Sequence, residues 1–482
     1  MRVSALEVMC ALKERGFEAF FVGGAVRDLL LGREPEDYDI VTTAPPGLVQ
    51  EMAVQKGWQA KETGRVFGVM MLIVRGRPVE VATARTEWYG RDSHRPAGGS
   101  FATSIAADLA RRDFTMNAMA MDPGGRLIDP FGGQKDLAAG LIRTVGRAAE
   151  RFAEDALRPF RAVRFAAQLG FELDAELWEA IPKTLYRVGG LAVERVCAEL
   201  EKILLAPQVS RGLDLLVRSG LAGASCRDSA KNMDGSVPIL PELQRLRGLP
   251  QNPLFHRFDV WGHTLAAVAA APPELTLRWA ALLHDVAKGL PGVRGKNKYG
   301  GLADRGHDRV GAEMATKILA RLLLPVSRRK RIVWLVRNHM VALPQDRSVI
   351  TRWLKRRARS FASQAALQEA VHQLFTLRYA DLAGGIVAPA FHKVREVEKL
   401  KDTVLAEVPF YVAELKISGG AVAAALGSGP QVGKFLADLL NRVIAGRLPN
   451  TPAALQEALA RRVRRLQMLK QQRQGNNFKK RC

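Results

Sequence analysis

Apolar and polar positions change their period part-way along the chain. Up to about residue 138, short apolar runs alternate with helical pieces and glycine-containing turns, and the clearest runs are Ala19 to Val22, Val69 to Val74 and Val79 to Ala82. Runs of this length predict strands. From Arg151 onward apolar residues recur every three or four positions in a run that ends near Gly170, which predicts a helix. The pattern predicts an α+β fold in which a small N-terminal sheet-and-helix domain precedes an all-α remainder.

Two breaks in this pattern divide the helical part. The segment 228–254 is rich in proline and has little periodicity, and a second break lies near Ile417 to Gly420. A chain of 482 residues is too long for one ordinary core. We therefore predict an N-terminal domain of residues 1–138, a helical region of 139–227, a linker of 228–254, a helical domain of 255–390 and a helical tail of 391–482 with a basic C-terminus.

The charge of the chain indicates a polyanionic partner. Its 72 Lys and Arg against 48 Asp and Glu give a net charge of +24, which favours nucleic acid. A basic balance also occurs in proteins that merely stay in solution, so the motifs must decide. Nine basic and no acidic residues follow from Arg461 onward, and either a phosphate-binding arm or a solvated, fraying helix explains them.

The positions of the cysteines and the hydropathy of the chain favour the cytoplasm. Cys10, Cys197, Cys226 and Cys482 lack any C-x-x-C spacing, which argues against a disulfide framework and against a zinc ribbon. No stretch approaches the roughly 18 apolar residues of a membrane span. We expect a cytoplasmic protein that is neither secreted nor embedded in a membrane.

A glycine turn follows the first predicted strand. Gly23 and Gly24 precede a helical stretch that contains Arg27 and stops near Gly32. Glycines let a backbone approach an anion, and Arg27, one turn into the helix, is placed to hold a phosphate. An ordinary tight turn explains Gly-Gly equally well without further evidence.

Two carboxylates follow at the entry to a β-rich segment. Asp37 and Asp39 are separated by one residue, so an extended backbone places both on one face. Such a pair can share Mg²⁺, as two-metal phosphoryl transfer requires: one ion activates an attacking 3′-hydroxyl and the other neutralises the leaving pyrophosphate. Glu80, on a later strand, is the candidate third catalytic carboxylate, and a surface glutamate on an edge strand is the alternative.

Three arginines at constant spacing accompany an acid further along the chain. Asp155, Arg158, Arg161 and Arg164 recur every third residue, which on one helix would form a stripe, although Pro159 would distort that helix. A solvated charged face is the alternative explanation. An earlier cluster around Arg112 and Asp113 can hold nucleotide or form a surface salt bridge.

An acid beside a guanidinium can select nucleobases. Cytosine and adenine both present an amino donor next to a ring-nitrogen acceptor, whereas uracil and guanine reverse this polarity. Asp155 and Arg158 complement only the first pair, and a mismatched base would leave buried polar groups unpaired at about 1–3 kcal/mol each. This predicts selection of CTP and ATP without a template strand, with Arg161 and Arg164 reaching the triphosphate or a backbone phosphate.

These motifs, in this order, resemble the class II tRNA nucleotidyltransferases of bacteria and their poly(A) polymerase relatives. The resemblance also takes in Asp129 to Gly133 with Asp136, and Glu194 to Val196 with Glu199, so it spans roughly the first 205 residues. It implies an arrangement of head, neck, body and tail along which a tRNA acceptor arm lies. It further implies Mg²⁺ at Asp37 and Asp39, and nucleotide binding by Gly23, Gly24, Arg27, Arg112, Asp113, Asp155, Arg158, Arg161 and Arg164.

The segment between Arg85 and Asp108 bears on which nucleotides are added. Residues 87–96 form a predicted loop that resembles the flexible element with which relatives add the terminal A. Relatives that add only CC shorten this element. The resemblance therefore favours addition of CCA, with addition of A alone as the alternative.

A second constellation lies in the predicted helical domain. His263, the adjacent His284 and Asp285, and the distant Asp381 resemble the metal ligands of HD-domain phosphohydrolases, and His307 and His339 would supply a second ion as in dinuclear members. The metal would be Mn, Ni, Fe or Mg. Histidines that only form hydrogen bonds inside an RNA-binding helical body are the alternative. An active site of this kind would cleave phosphomonoesters or cyclic phosphodiesters at RNA ends.

The sequence thus predicts a template-independent enzyme that extends tRNA with CTP and ATP as substrates. We expect the tRNA acceptor arm as partner and neither DNA nor a membrane, and the pattern leaves the oligomeric state open. Poly(A) polymerase is the nearest rival within the same chemistry. An HD-type RNA-end phosphohydrolase with an RNA-binding head is the rival from another class.

Overall fold

The computed structural model describes residues 2–64, 68–89, 96–101, 104–228, 235–342, 344–386 and 388–479. Nine strands lie in the N-terminal part: β1 (Ala19–Val22), β2 (Ile40–Thr42), β3 (Gln59–Gly64), β4 (Val69–Val74), β5 (Arg77–Thr83), β6 (Arg85–Tyr89), β7 (Pro96–Phe101), β8 (Ala120–Met121) and β9 (Leu127–Ile128). Seven of them form one sheet of order β3-β4-β5-β2-β1-β8-β9. β1 and β4 have the bounds that the sequence predicted. β5 is longer than its predicted run at both ends.

Helices cover this sheet on both faces: α1 (Arg2–Glu14), α2 (Gly24–Leu30), α3 (Pro46–Gln55) and α4 (Ile105–Ala110). Every residue of β1 is buried. Phe21 lies in the main core with Val8 of α1, whereas Phe20 and Val22 lie in a smaller cluster with Leu109 of α4. A strand with two covered faces has no polar alternation, which is why β1 is a continuous apolar run.

The register of the central strands positions the first site. β2 runs antiparallel to β1 and parallel to β5, with Ile40 opposite Val81. The residues that precede Ile40 and Val81 therefore lie beside each other at one end of the sheet. These residues are Asp39 and Glu80.

Residues 87–89 and 96 of the segment predicted as a loop belong to strands in the structure. β6 and β7 pair antiparallel from Arg85 opposite Phe101 to Tyr89 opposite Pro96. The run Arg85 to Tyr89 contains Thr, Trp and Tyr, which favour strands. Residues 90–95, which lie between these two strands in the sequence, are outside the described residues.

The predicted helix from Arg151 to Gly170 is two helices. After α5 (Gly133–Ala138), the chain forms α6 (Ala148–Glu154) and then α7 (Arg158–Leu169), which ends at Gly170 in the left-handed region. Asp155 is extended, with φ −137° and ψ 108°. Pro159 cannot donate a backbone hydrogen bond, so it is tolerated in the first turn of α7 but not in a helix interior. The prediction that Asp155 shares one helix with Arg158, Arg161 and Arg164 is therefore wrong.

Three helices follow, and the second and third of them pack on α7. They are α8 (Ala175–Thr184), α9 (Val193–Leu205) and α10 (Val209–Arg218), and the short strands β10 (Leu141–Ile142) and β11 (Glu172–Leu173) pair alongside. A Cβ built on Gly212 of α10 would lie 2.6 Å from the Cβ of Ala167 in α7 and 2.8 Å from Cγ2 of Ile203 in α9. Gly212 therefore permits the close approach of three helices.

Part of the interval predicted as a linker packs into the core. Strands β12 (Ser225–Arg227) and β13 (Ser236–Pro238) pair antiparallel and lead into α11 (Pro241–Gln244). Ile239, Leu240, Leu243 and Leu246 are each fully buried. The prolines of this segment shape a compact connection, and burial of four apolar side chains fixes it in place.

The helical domain that follows is built from six helices and a hairpin. They are α12 (Val260–Ala270), α13 (Leu275–Leu283), the hairpin strands β14 (Arg294–Lys296) and β15 (Leu302–Asp304), α14 (His307–Arg321), α15 (Val326–Asn338), α16 (Arg347–Ala358) and α17 (Gln364–Ala383). Polar residues cap several of these helices, since the Asp259, Asp346 and Ser363 side chains accept hydrogen bonds from first-turn backbone amides.

The C-terminal part has a core of its own. After α18 (Ala388–Glu407), whose Val397 and Val404 belong to the main core, the remaining helices are α19 (Gly419–Leu426), α20 (Pro430–Ile444) and α21 (Pro452–Lys479). Val422, Leu439 and Leu455 lie in a cluster separate from the main core. Among the described residues, none of the helices combines the length and the apolar character that crossing a lipid bilayer requires.

Gly212 provides a test of the packing between α7, α9 and α10. We expect Gly212→Ala to destabilise the protein by about 1–3 kcal/mol, because the added methyl group would overpack the contact. Gly433→Ala in α20 is the matched control: nothing lies within 4 Å of its Cβ position, and alanine should stabilise that helix by up to about 1 kcal/mol. Urea unfolding measures both, and equal effects would contradict the packing argument.

Candidate active sites

The glycine turn after β1 makes room for an arginine. Gly23 has a φ of 67°, in the left-handed region. A Cβ at Gly23 would lie 3.0 Å from Nη1 of Arg112. Gly23 therefore permits both the left-handed turn and the close approach of the Arg112 guanidinium. Arg112 is one of the residues that the sequence predicted to bind nucleotide.

Three carboxylates lie together at this end of the sheet. Asp37 and Asp39 precede β2 on one side of the strand, while the intervening Tyr38 is buried against Phe21 with ring centroids 5.2 Å apart. Burial raises the pKa of Asp39, and the nearby Asp37 adds to this while Arg112 opposes it. Burial, then Asp39 and Asp37, also raise the pKa of Glu80.

This cluster fits divalent cations. Carboxylates that repel one another without an intervening cation have raised pKa values, and bound Mg²⁺ reverses that effect because it favours the ionised forms. Oxygen donors with water and phosphate as further ligands are what Mg²⁺ prefers. Glu80, predicted from its strand alone, is beside the aspartates, which supports its assignment to the same site.

A chain of polar contacts connects the glycine turn to α7. Arg27 donates from Nη1 to Oδ1 of Asn117 at 3.0 Å, and Asn117 donates to Oδ1 of Asp113 at 3.4 Å. Arg161 then donates to Oδ2 of Asp113 from Nε at 2.7 Å and from Nη2 at 2.6 Å. Burial alone would raise the pKa of Asp113, but the charges of Arg161 and Arg158 lower it below its usual value. Asp113 therefore holds Arg161 in place.

Arg112 is also anchored by a buried acid. Asp108 is fully buried and pairs with Nη2 of Arg112 at 3.1 Å and with Nη2 of Arg111 at 2.6 Å. An exposed salt bridge would contribute little, whereas a buried carboxylate requires its partners. The cluster is thus part of the interior that faces the carboxylate site.

The base-recognition pair lies at the break between α6 and α7. Asp155 accepts from the backbone amide of Leu157 at 3.0 Å and lies 3.7 Å from Nη2 of Arg195. Arg158 is 5% exposed and donates to Oε2 of Glu154 at 2.6 Å and to the carbonyl of Arg111 at 3.1 Å. The backbone amide of Arg158 donates to the carbonyl of Asp155 at 3.1 Å. The two residues are therefore neighbours even though they do not share a helix.

Phe165 lies among three guanidinium groups. The Cζ atom of Arg164 is 3.9 Å from its ring centroid, that of Arg27 is 5.3 Å and that of Arg161 is 5.8 Å. Arg164 also donates from Nε to Oε2 of the buried Glu199 at 2.6 Å. The aromatic face helps to keep like charges together. The sequence had not singled out Phe165 or Asn117, and only the three-dimensional neighbourhood identifies them.

The second constellation assembles completely. Nε2 of His263 lies 3.0 Å from Oδ1 of Asp381, and Nε2 of His284 lies 3.1 Å from Oδ2 of Asp285. Nε2 of His307 lies 3.3 Å from the other oxygen of Asp285. Two groups with metal-ligand spacing result, and Asp285 belongs to both: His263, His284 and Asp285 form one, and Asp285, His307 and His339 form the other.

The hydrogen bonds of the histidines set their tautomers. Three of the rings direct Nδ1 at a backbone carbonyl, which only accepts, so Nδ1 carries the proton and Nε2 presents a lone pair. The Nε2 atoms of His307 and His339 face each other at 3.2 Å, as do those of His263 and His284. Buried lone pairs that face one another fit a cation between them. The Nδ1 contacts are His284 to Ala281 O at 2.7 Å, His307 to Asp304 O at 2.6 Å and His339 to Val336 O at 2.7 Å.

Burial and neighbouring charges shift the pKa values of these residues. Burial alone would lower the pKa of His284, but Asp285 and Asp381 raise it; a cation bound at these carboxylates would oppose that effect. Burial lowers the pKa of His339 to about 4, so this imidazole is neutral at neutral pH. Burial alone would raise the pKa of Asp381 and of Asp285, but the surrounding histidines, and Lys288 in the case of Asp285, lower both. Neutral imidazoles and ionised carboxylates are the forms in which these side chains bind metals.

A cavity of about 660 Å³ opens onto this cluster. Its lining includes Lys288, whose Nζ lies 2.7 Å from Oδ2 of Asp285, and Arg378, whose Nη1 lies 2.8 Å from Oδ2 of Asp381. A cavity that joins candidate metal ligands to cationic side chains suits a phosphoester. Gly384 lets the chain pack closely against a ligand residue, because a Cβ there would lie 2.4 Å from Nδ1 of His263.

Three models of known families match three separate parts of the chain. Residues 19–143 match the poly A polymerase head domain, residues 170–224 match a probable RNA- and SrmB-binding site of polymerase A, and residues 260–368 match the HD domain. The matches confirm the resemblance predicted from the motifs.

Individual relatives are CCA-adding enzymes. The chain is 48% identical over 217 residues to that of Geobacillus sp. strain WCH70, and 37% identical over 272 residues to that of Bacillus licheniformis. The first match covers 45% of this chain and 53% of the relative, and the second covers 56% and 66%. The matched part thus spans about half to two thirds of these relatives' length.

Solved structures extend the likeness over the chain. The Bacillus stearothermophilus CCA-adding enzyme in complex with CTP aligns with a TM-score of 0.68 at 28% identity, covering 97% of this chain and 98% of that one. The Thermotoga maritima CCA-adding enzyme complexed with tRNA aligns with a TM-score of 0.52 at 19% identity over 94% of each chain, which shows a shared fold. The predicted α+β class with a helical remainder is confirmed.

Asp285 provides a test of the buried cluster. We expect Asp285→Asn to remove most of the tightly held divalent metal, because this carboxylate belongs to both ligand groups. Asp308→Asn, next to His307 but outside both groups, is the control and should keep the metal. Elemental analysis after dialysis measures the content, and equal content in both variants would contradict the assignment.

Proposed function

We propose that this chain, which carries a poly A polymerase head domain followed by an HD domain, is a template-independent tRNA nucleotidyltransferase. It would add CCA, or its terminal A, to the 3′ end of tRNA from CTP and ATP. The observation that carries this proposal is the meeting of Asp37, Asp39 and Glu80 beside Arg112 in a chain similar to CCA-adding enzymes.

The reaction forms one bond and breaks one. The 3′-oxygen of tRNA attacks the α-phosphorus of the incoming nucleotide, its proton leaves to solvent or a carboxylate, and the bond to the bridging oxygen breaks to release pyrophosphate. Mg²⁺ at Asp37 and Asp39 would supply activation of the hydroxyl and neutralisation of the leaving group. The arginines of the site would position the triphosphate.

Anchored arginines suit this task. Asp113 accepts hydrogen bonds from two nitrogen atoms of Arg161. Glu199 also accepts a hydrogen bond from Arg164, and Asn117 accepts one from Arg27. A guanidinium held by a bidentate or buried partner keeps its remaining N–H groups in one direction, so little entropy is lost when a phosphate binds. We propose that these three arginines bind the triphosphate.

Base selection would follow from the helix break. Because Asp155 lies outside α7, its carboxylate and the guanidinium of Arg158 approach the site from separate backbone segments. We propose that Asp155 accepts from the amino group of cytosine or adenine while Arg158 donates to the ring nitrogen. Uracil and guanine present the reverse polarity, so neither protein group would gain a hydrogen bond from them.

The tRNA acceptor arm is the proposed partner. The net charge of +24 and the match of residues 170–224 to an RNA-binding region support this, as does the shared fold with an enzyme solved with tRNA. We propose the cytoplasm as the place of reaction, because tRNA and both nucleotides are available there.

A second activity is favoured by the buried cluster. Two ligand groups that share Asp285, open to a cavity with Lys288 and Arg378, support hydrolysis of phosphoesters at RNA ends. We propose that the metal at this cluster is Mn, Ni, Fe or Mg.

The head site is tested by product sequencing. Wild-type protein is incubated with CTP and ATP on tRNAs that end before C, after CC and after CCA. We expect the first two to be completed and the third to be left unchanged, while long A tails would instead show a poly(A) polymerase. Asp37→Ala with Asp39→Ala should slow incorporation by roughly a hundredfold or more, since about 3 kcal/mol of transition-state stabilisation is lost. Unaltered incorporation would refute the proposal.

Two variants separate the two activities. Asp285→Asn should abolish release of phosphate from RNA ends and leave CTP incorporation intact, and the aspartate double variant of the head should do the reverse. The physical reason is that each set of carboxylates serves its own cations. Loss of both activities in either variant would show that the sites are not independent.

A further inference from the structure

All charged side chains of helices α15 and α16 are basic. Each contains five basic residues and no acidic one. Some of these charges have a structural partner elsewhere. The ion pairs are Arg328 with Glu201 at 2.7 Å, Arg331 with Glu369 at 3.6 Å and Arg347 with Glu407 at 2.6 Å.

Three arginines on these helices differ from the paired ones. Arg337, Arg356 and Arg357 have no ion pair with a carboxylate among the described parts of the chain. Burial, and then repulsion from Arg356 and Arg337, lowers the pKa of the Arg357 guanidinium. Like charges held close together favour a counter-charge from outside. Arg337 and Arg356 are exposed, so such an anion has access to them.

This arginine cluster adjoins the buried metal-ligand cluster. Arg357 donates from Nε to Oδ1 of Asn338 at 3.1 Å, and the next residue, His339, is one of the ligands. Met340, one residue further, lines the cavity that opens onto Asp285. A single turn of chain therefore joins the arginines to the mouth of the cavity.

We propose that Arg337, Arg356 and Arg357 bind the phosphate backbone of an RNA strand whose terminal phosphoester enters the cavity at Asp285. The inference rests on the hydrolase activity proposed above, and it names the substrate as a strand instead of a mononucleotide. Guanidinium groups bind successive phosphates through charge-assisted hydrogen bonds.

The rim of the cavity favours RNA over an acidic protein. Phe255, Met340 and Ile386 line it and are 61%, 47% and 51% exposed. Exposed aromatic and apolar side chains beside a basic surface suit unpaired bases, which stack on such groups. An acidic peptide would use the arginines but has no phosphoester for the cavity.

The experiment uses the full chain with Arg337→Gln and Arg356→Gln together. Lys13→Gln with Lys317→Gln is the control, because both lysines are exposed and the change in charge is equal. A short single-stranded RNA with 4-thiouridine near a phosphorylated 3′ end is cross-linked by light, and the labelled peptides are mapped. We expect cross-links to residues 337–357 in wild type and control, and a loss of about tenfold in the arginine variant.

A kinetic readout accompanies the mapping. KM for the phosphorylated oligonucleotide should rise about tenfold in the arginine variant with kcat unchanged, while hydrolysis of a mononucleotide phosphate stays as in wild type. Should the double variant unfold, Arg356→Gln alone replaces it.

The outcomes are distinguishable from failure of the proposed function. Cross-links lost in the variant without any hydrolysis in wild type support the RNA surface and refute the hydrolase activity. Cross-links to residues 337–357 that persist at the control level overturn the inference. Displacement of the RNA by polyglutamate at equal charge concentration, with tighter binding of the peptide, would also overturn it.

Discussion

The ion pair between the buried Asp113 and the partly exposed Arg161 connects the two parts of the candidate nucleotide site. Asp113 follows the helix that covers the sheet, whereas Arg161 lies in the first helix after the break at Asp155. Removing Arg161 would leave the charge of the buried Asp113 uncompensated, which is unfavourable in the interior. The orientation of α7, and with it the direction of every arginine on that helix, therefore depends on this contact.

The two candidate sites differ in how far their metal-ligand side chains are exposed to solvent. In the head, Asp37 and Glu80 are exposed, so cations and substrate phosphates can enter and leave together. In the helical domain, His284, Asp285 and His339 are at most 1% exposed, and their lone pairs converge in the interior. Exposure suits exchangeable ions that accompany a nucleotide, and burial suits ions that stay with the protein.

Charge compensation differs between the arginines of the interior and those of the surface. Arg158 and Arg164 are nearly buried and spend part of their donor capacity on Glu154 and Glu199. Arg337 and Arg356 lie on the surface next to a second cationic side chain. A guanidinium in the interior needs an acidic or carbonyl partner, because its charge is unfavourable in a medium of low dielectric constant. A guanidinium at the surface is solvated by water and needs no such partner.

The sequence by itself determined the strands Ala19–Val22 and Val69–Val74, the aspartate pair and the histidine and aspartate set, because these depend on local alternation and on residue chemistry. It could not determine that Asp155 leaves the helix of Arg158, that residues 85–89 pair with residues 96–101, or that Ile239 and Leu246 belong to the core. It also gave no sign that Phe165 and Asn117 would join the arginines. These features arise from contacts between residues far apart along the chain, and only the packed structure brings such residues within reach of one another.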